Sequence, residues 1–396
     1  MTMQKSLDRR KFLKLSAAGA AGGFLAGTGA VRAASLNNMS AIRKDGIIHR
    51  TLGKTGMKMP VVNLGVMRVD NPRIVTMALD GGMTLLDTAH GYQNGRNEEM
   101  LGELLKDRPR DSFYLATKVS ARGADMSTDE FIEIFNISMK RLQLDYVDIL
   151  YLHGASSRDA VLNENHLAAL MKLREQGRTR SIGVTTHSNE AEVIRAAVES
   201  NEYDIVCPAI NFRMDTYHDI KEAIAEAARA GLGVIAMKTM AGAYWDEERQ
   251  DPINTVAALK YILQNENIHT SIPGVTAFHE LEDNFRVNQD ISLTNDEIND
   301  LRLDQANGGM YCFGCEKCID QCPQKMPVPD MMRSYMYAYG YKDLTLARET
   351  MDSLNIGGDA CGSCNSCTVK CVQGFDVAEK IRKIDRIRHI PSDFLT

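Results

Sequence analysis

The sequence predicts an α/β protein in which a parallel (β/α)8 barrel, or TIM barrel, is followed by a small, mainly helical domain. Two observations predict this organisation. Eight short apolar runs alternate with amphipathic stretches between residues 47 and 300, and eight of the nine cysteines follow residue 311. We therefore divide the chain into a leader at residues 1–33, a barrel at residues 47–300 and a cysteine-rich domain at residues 308–385.

The composition of the 396-residue chain is that of an ordinary globular protein, with 44% hydrophobic and 25% charged residues. It excludes a mainly disordered chain. The lack of long runs rich in Leu, Ile, Val and Phe excludes a multi-span membrane protein. The formal net charge is −6, and no long basic run stands out, so we expect no nucleic-acid partner.

The first 33 residues have the pattern of an export signal. Arg9 and Arg10 precede a weakly hydrophobic, Ala/Gly-rich stretch at residues 15–31, and Ala33 offers a small residue near a cleavage point. This pattern resembles a twin-arginine (Tat) signal. The resemblance implies passage through the Tat translocase and a periplasmic or otherwise exported location, and an ordinary flexible N-terminus is the alternative.

A hairpin opens the barrel region, with predicted strands at residues 47–52 and 57–61 around a Gly-Lys-Thr-Gly turn. The apolar runs that follow are predicted as barrel strands at residues 62–66, 84–87, 113–117, 147–152, 181–184, 205–209, 233–237 and 270–272. Between them, residues 129–142 carry an apolar face at helical spacing. A doubly wound open sheet is the alternative, but that fold usually carries G-x-G-x-x-G after its first strand, and none is present there.

Ionisable side chains stand at the carboxyl ends of three predicted strands. Asp87 ends the second strand, Lys118 follows the third and His153 ends the fourth, while Tyr92 lies on the loop after Asp87. Active sites of (β/α)8 barrels form at this face. Alone, a strand-end Asp is more often a helix cap and a His more often a satisfied core residue. Together the four side chains predict an active site.

These residues belong to a longer pattern that resembles the aldo-keto reductase family. The matching features appear in the family's order and include the turn at 53–56, the segments 81–102, 183–188 and 272–284, Lys118 and His153. The resemblance covers about residues 47–300. It implies a (β/α)8 barrel, carbonyl–alcohol chemistry by hydride transfer, and a nicotinamide dinucleotide held in an extended groove.

By this resemblance Asp87, Tyr92, Lys118 and His153 form the catalytic tetrad. A carbonyl that receives hydride develops charge on oxygen, so a proton donor must lie beside it. The pKa of free tyrosine is about 10, and a nearby Lys118 ammonium would make Tyr92 a better acid. Asp87 would keep Lys118 charged, and His153 would orient the carbonyl or share the proton.

The resemblance also implies a set of dinucleotide-binding residues: Arg68, Thr185, Thr186, Met237, Lys238, Gly274, Glu280 and Asn284. Where the family often has Lys and Arg for a 2′-phosphate, this chain has Gly274 and Glu280. Glu280 would repel a phosphate and could accept a ribose hydroxyl instead. We therefore expect NAD in preference to NADP, although Arg68 and Lys238 could restore phosphate binding.

The clustered cysteines repeat one spacing, C-x2-C-x2-C-x3-C. The first copy of this spacing consists of Cys312, Cys315, Cys318 and Cys322, and the second consists of Cys361, Cys364, Cys367 and Cys371. This is the ligand pattern of bacterial 4Fe–4S ferredoxins, with structural zinc as the alternative.

By the ferredoxin resemblance, the fourth cysteine of each motif would serve the other cluster. One set would be Cys312, Cys315, Cys318 and Cys371, and the other Cys361, Cys364, Cys367 and Cys322. We expect helices in the insert at residues 323–360, as in α-helical ferredoxin modules.

Together these interpretations predict an exported oxidoreductase of the aldo-keto reductase type. It would act on a small carbonyl compound or a sugar and pass electrons through two 4Fe–4S clusters to or from a redox partner protein or a quinone-linked donor. Two alternatives stay open: an electron-transfer module whose barrel only binds a ligand, and a redox-neutral sugar-modifying barrel enzyme. The sequence names neither the substrate nor the direction of reaction.

Overall fold

The computed structural model describes residues 42–120, 126–303, 311–312, 314, 316–354, 356, 361, 364, 367–391 and 395. The leader predicted at residues 1–33 and the predicted ligand Cys315 lie outside the described residues. Within these ranges, the helices are too short or too polar to cross a membrane.

Eight parallel strands form the predicted barrel, hydrogen-bonded to one another in chain order. They are Leu64–Gly65, Leu85–Asp87, Tyr114–Ser120, Val147–His153, Thr179–Thr186, Ile205–Pro208, Gly233–Ala236 and Thr270–Ser271. Parallel bridges from Val62 to Ser271 and from Gly65 to Gly274 join the first strand to the last. Because an open sheet has no such contact between its edges, the doubly wound alternative is wrong.

The register of neighbouring strands brings the predicted strand-end residues to one rim. Asp87 is the partner of Ala116, two residues before Lys118. The third strand continues to Ser120, so Lys118 lies within it and not after it as predicted. In the next pair of strands, Ser120 is the partner of His153. The carboxyl ends of the second, third and fourth strands therefore open at the same face of the barrel.

The barrel helices pack outside the strands and begin at local caps. Helix Thr128–Leu142, predicted at residues 129–142, starts at a capping box in which Ser127 and Glu130 bond each other's backbone N–H. Its residues Phe131 and Phe135 are fully buried. The other helices are Pro72–Asp80, Arg96–Leu105, Arg158–Val161, Glu164–Glu175, Glu190–Ser200, Tyr217–Arg229, Thr255–Leu263, Phe278–Gln289 and Asn295–Asp300, with 3-10 turns at Gly53–Thr55, Tyr92–Gly95 and Arg110–Ser112.

An antiparallel sheet covers the amino end of the barrel. The two predicted strands are present as Ile47–Thr51 and Lys58–Pro60, and a third strand, Ile42–Lys44, was not predicted. Asp45 and Gly46 link it with positive φ values of 51° and 82°, as two-residue hairpins favour. At Gly53, a Cβ atom would lie 2.4 Å from the backbone nitrogen of Gly233. Only glycine therefore fits where this sheet meets the seventh strand.

The C-terminal region is helical, and the helices expected in its insert are present. Its helices are Val328–Tyr335, Leu344–Asp352 and Val377–Asp385, with a π turn at Met336–Gly340 and a 3-10 turn at Arg386–His389. Methionines and a few aliphatic side chains form its core, including Met331, Met332, Met351, Ile381 and Ile384. Several cysteine side chains pack against this core.

Candidate active site and candidate metal centres

Asp87 and Lys118 form a buried ion pair at the carboxyl end of the barrel. Lys118 Nζ donates to Asp87 Oδ1 and, at 2.6 Å, to the carbonyl oxygen of Thr88. The two side chains are only 5% and 2% exposed. Burial disfavours the charged form of Lys118, but the Asp87 carboxylate more than compensates and raises the lysine pKa. The lysine is therefore held as an ammonium at neutral pH.

Tyr92 lies beside this pair on a tight turn. Lys118 Nζ donates to Tyr92 Oη at 3.3 Å. The two following residues, Gln93 and Asn94, have left-handed backbones with φ of 51° and 54°, a conformation that few non-glycine residues adopt. Gln93 Nε2 fixes the turn by donating to the carbonyl oxygens of Met67 and Val69 at 3.2 and 3.3 Å.

The net pKa of Tyr92 differs from the sequence expectation. Burial raises it, and Lys118 and Lys238 act in the opposite direction without overcoming burial. Withdrawal of the phenol from water thus outweighs the two nearby ammonium groups. The phenol is accordingly protonated at neutral pH, as a proton donor must be.

His153 completes the group. Its ring meets the Tyr92 ring edge to face, with centroids 5.9 Å apart and an interplanar angle of 81°. The structure therefore brings all four predicted tetrad residues together at the rim of the barrel.

The hydroxyls of Thr185 and Thr186 are used within the protein. Thr185 Oγ1 accepts from the backbone N–H of Gly154 at 2.9 Å. Thr186 Oγ1 donates to the carbonyl oxygen of Ser188 at 2.6 Å. Both threonines are buried, and so is Met237 at the end of the seventh strand. These hydroxyls brace the loops after the fourth and fifth strands.

Two predicted dinucleotide positions follow the eighth strand, one buried and one exposed. Asn284 is 1% exposed, and among the described residues neither polar atom of its carboxamide has a hydrogen-bond partner. Gly274 is exposed and has free space around it. An orphaned buried amide beside an open backbone suits the polar edge of a bound nucleotide. These two residues fit a dinucleotide.

Glu280 has a structural role at the same end of the barrel. Its Oε2 accepts from the backbone N–H groups of Thr276 and Ala277 at 2.6 and 3.1 Å. It thereby caps helix Phe278–Gln289. Its negative charge lies at the amino end of the helix that carries Asn284.

Arg68 and Lys238, the two cations predicted to face the cofactor, contact one residue of the helical region. Lys238 Nζ donates to Tyr341 Oη at 2.5 Å. Arg68 Nη2 donates to the carbonyl oxygen of Tyr341 at 2.8 Å. Both cations lie over the Tyr341 ring, at 4.9 and 5.0 Å from its centroid. Tyr341 therefore stands at the mouth of the barrel.

Other contacts confirm that the helical region covers this face. Asn94, two residues after Tyr92, donates from Nδ2 to Glu349 Oε1 at 2.5 Å. On the loop after the seventh strand, Glu247 accepts from Lys380 Nζ at 2.5 Å and from Tyr335 Oη at 3.3 Å. The helical region thus holds the loops on which the active site is built.

The cysteines of the helical region line two separate cavities. Cys322 lines the first together with Cys361, Cys364 and Cys367. The second cavity is lined by Cys312, Cys318 and Cys371. In the first cavity the fourth cysteine of the first motif joins the first three of the second. In the second cavity the fourth cysteine of the second motif joins the two described members of the first, Cys312 and Cys318. For the described cysteines this is the grouping that the ferredoxin resemblance implies.

The chemistry of these cavities fits iron–sulfur clusters. Burial raises the pKa of the Cys361 thiol to about 11, and the neighbouring thiols of Cys364, Cys367 and Cys322 add to the effect. Such crowded thiols need a strongly positive centre to exist as thiolates.

Tyr341 is the main residue of this site that sequence reasoning missed. A signal was available, since Tyr335, Tyr337, Tyr339 and Tyr341 place four tyrosines within seven residues. In the structure the rings of Tyr337 and Tyr341 lie 5.5 Å apart, and those of Tyr335 and Tyr339 lie 4.4 Å apart. The spacing shows an aromatic cluster, but only the fold shows that it meets the barrel.

Comparisons with known proteins support the fold and the iron–sulfur domain. Residues 311–376 match a domain described as a 4Fe-4S dicluster domain. The aldo-keto reductase AKR11C1 from Bacillus halodurans, in its holo form, superposes with a TM-score of 0.56 at 23% identity, over 66% of this chain and 98% of that one. At this identity the superposition supports the fold alone.

Among sequence relatives, L-galactose dehydrogenase of Arabidopsis thaliana is 36% identical over 152 residues, 34% of this chain and 47% of the plant protein. Methylglyoxal reductase DkgB of Salmonella typhi is 33% identical over 134 residues, 33% of this chain and 48% of that protein. The chain thus spans about half the length of these two relatives. Residues 57–256, half of the chain, match the Aldo/keto reductase family. With the barrel and the rim residues described above, this match shows that the chain belongs to the aldo-keto reductases, a family of oxidoreductases.

Proposed function

We propose that the protein interconverts a carbonyl and an alcohol on a small molecule and exchanges electrons through two 4Fe–4S clusters. The single observation that carries the proposal is the contact of Lys118 with both Asp87 and Tyr92 at the carboxyl rim. This arrangement supplies a proton donor, a charge that stabilises its conjugate base, and a carboxylate that keeps that charge in place.

In carbonyl reduction Tyr92 donates its phenolic proton to the developing alkoxide. Lys118, 3.3 Å from the phenol oxygen, stabilises the phenolate that remains. Asp87 keeps Lys118 charged, and His153 orients the carbonyl from the other side of the Tyr92 ring. In alcohol oxidation the same groups act in reverse, with Tyr92 as the base.

A nicotinamide dinucleotide, when bound, supplies or accepts the hydride. Asn284 and Gly274 would hold it, and the charge of Glu280 favours NAD over NADP. The clusters, when bound, transfer single electrons. One would be held by Cys361, Cys364, Cys367 and Cys322, and the other by the remaining four cysteines of the two motifs.

The substrate class and the location are part of the same proposal. The names of the relatives, an L-galactose dehydrogenase and a methylglyoxal reductase, support a small carbonyl compound or sugar as substrate. The twin-arginine pattern at Arg9 and Arg10 supports export through the Tat translocase. A redox partner protein or a quinone-linked donor would then exchange electrons with the helical region.

The test is a Tyr92→Phe variant, purified anaerobically beside the wild type and a Tyr114→Phe control at the amino end of the third strand. Small aldehydes and sugars are offered with NADH or NADPH. We expect turnover to fall by a factor of about 100 or more in Tyr92→Phe alone, with iron content and cluster absorbance unchanged in all three proteins. Equal turnover in Tyr92→Phe and the wild type would remove the tetrad from the proposal. Substrate conversion without net electron flow would instead indicate a redox-neutral enzyme.

A further inference from the structure

Lys238 lies at the centre of the contact between the barrel and the helical region. It follows the seventh strand, Gly233–Ala236, at the carboxyl rim, and its backbone is left-handed with φ of 60°. Such a conformation is unfavourable for a non-glycine residue. It persists because the surrounding structure fixes it, with the ammonium hydrogen-bonded to Tyr341 Oη.

Lys238 differs from the other shielded lysines in its partners. Four lysines in the described part of the chain are not solvent-exposed: Lys118, Lys238, Lys260 and Lys380. Lys118 pairs with Asp87, Lys260 with Glu297 and Lys380 with Glu247. Lys238 has no carboxylate within ion-pair distance among the described residues and relies on a neutral phenol.

A second cation without a described carboxylate partner lies close by. Arg68 follows the first barrel strand, donates to the carbonyl oxygen of Tyr341 and lies 5.0 Å from the centre of its ring. Lys238 lies 4.9 Å from the same centre. Two positive charges therefore lie around one aromatic ring. Because shielded charges of one sign are unfavourable without an opposite charge nearby, this arrangement favours the binding of an anion.

These charges lie at the same rim as the reacting groups. Gln93, the residue after Tyr92, donates from Nε2 at 3.2 Å to the carbonyl oxygen of Met67, the residue before Arg68. Burial opposes the charged form of Lys238, yet Tyr341, Tyr337 and Tyr92 together raise its pKa. Reciprocally, Lys238 acts to lower the pKa of Tyr92. A ligand group that reached Lys238 would therefore lie beside the carbonyl that Tyr92 protonates.

We propose that Lys238 and Tyr341, with Arg68 beside them, form an anion subsite, and that the substrate is a carbonyl or hydroxyl compound carrying a carboxylate, such as a sugar acid or an oxo acid. Lys238 Nζ has three N–H donors, of which one meets Tyr341. The Tyr341 hydroxyl accepts from Lys238 and keeps its own hydrogen to donate. The two groups match the two oxygens of a carboxylate.

This inference rests on the proposed function and deepens it. It gives the helical region a role in substrate recognition besides electron transfer, because Tyr341 comes from that region. A dinucleotide phosphate would offer the same anionic oxygens, so the test must separate a substrate carboxylate from a cofactor phosphate.

The test measures binding to the anaerobically purified full-length protein by isothermal titration. In each pair of matched probes a carboxylate in one compound replaces a hydroxymethyl group in the other: D-galacturonate with D-galactose, D-glucuronate with D-glucose, and pyruvate with hydroxyacetone. NAD⁺ and NADP⁺ form a separate arm. Variants are Lys238→Met, Lys238→Arg and Tyr341→Phe, with Lys221→Met as an exposed control that removes the same charge.

We expect the wild type to prefer the carboxylate in at least one pair. Lys238→Met should weaken that carboxylate roughly 10- to 100-fold and leave its neutral partner unchanged. Tyr341→Phe should weaken it less, while Lys238→Arg and Lys221→Met should retain the preference. Iron content should be the same in every variant.

Three results would overturn the inference: no preference for the carboxylate in any pair, a preference that survives Lys238→Met, or a loss confined to NAD⁺ and NADP⁺. The last would assign the cations to the cofactor. The outcome of the Tyr92→Phe experiment is independent of this one, because that experiment measures turnover and the titration measures binding affinity.

Discussion

The barrel and the helical region are held together in different ways. The barrel has a large buried cluster dominated by Leu, Ile, Val and Ala side chains, and a second, smaller buried cluster. The helical region has a small core, rich in methionine, with cysteine cavities at its edge. Methionine is flexible and specifies packing weakly. The difference indicates that burial of apolar side chains stabilises the barrel, whereas the order of the helical region depends on bound metal.

The two regions also contribute different residues to the active site. The barrel supplies the tetrad from strand ends that its hydrogen-bonded register fixes. The helical region supplies Tyr341 and grips the rim loops through Glu349 and Lys380. A change confined to one region should therefore leave the other folded but alter the surface that they share.

Removal of iron should produce the largest difference in stability between the helical region and the barrel. Anaerobic treatment with a chelator and a mild oxidant is expected to unfold the helical region, because its thiols lose the centre that neutralises them. Amide hydrogen exchange should then rise throughout residues 316–391 and remain low in the barrel strands. If amide protons stayed equally protected from exchange in both regions after iron loss, the helical region would not depend on metal for its fold.

Cys322→Ala should separate the two cavities. Although Cys322 belongs to the first motif, it lines the cavity of Cys361, Cys364 and Cys367. We expect iron and sulfide to fall by about one cluster of the two proposed, and the lost electron paramagnetic resonance signal to match that of Cys361→Ala. If the lost signal instead matched that of Cys312→Ala, each motif would hold its own cluster.

Phe135→Ala should lower the free energy of unfolding of the barrel by about 3–5 kcal/mol. Phe135 is fully buried in helix Thr128–Leu142, so its loss leaves a cavity. Ile137→Ala, on the same helix at a 38% exposed position, serves as the control and should cost far less. Chemical denaturation with iron content measured in parallel gives both values, and iron content should not change in either variant.

Glu190→Gln should have a smaller, pH-dependent effect. Burial raises the pKa of Glu190 from 4.5 to about 7, so between these values the folded state binds more protons than the unfolded state. Stability therefore falls as the pH rises through this window, by on the order of 3 kcal/mol in total above pH 7. The variant should be more stable than the wild type at pH 8 and similar at pH 4.5.

Denaturation of Glu190→Gln at both pH values, beside the exposed control Glu222→Gln, checks this expectation. An equal effect at the two pH values would show that the side chain contributes through packing alone. The iron-dependent region should respond identically in both variants, because Glu190 belongs to the barrel.

Much of the barrel was predictable because its signals are local. Each parallel strand is buried on both faces and appears as a short apolar run, so all eight were found with errors of one to a few residues at their ends. The strand Ile42–Lys44 was missed although Asp45-Gly46 is a hairpin signal. The net pKa of Tyr92 was also missed, because desolvation depends on what the fold places around the phenol.

The sequence by itself determined the two repeated cysteine motifs, the order of the barrel strands and the four residues at their ends, because spacing along the chain fixes these features. Only the tertiary structure decided which cysteines share a cavity and which side chains meet Lys238. Those contacts join residues far apart in the chain, from Cys322 to Cys361 and from Arg68 to Tyr341. The free energies of these contacts depend on burial and charge that the fold creates, so no local sequence pattern predicts them.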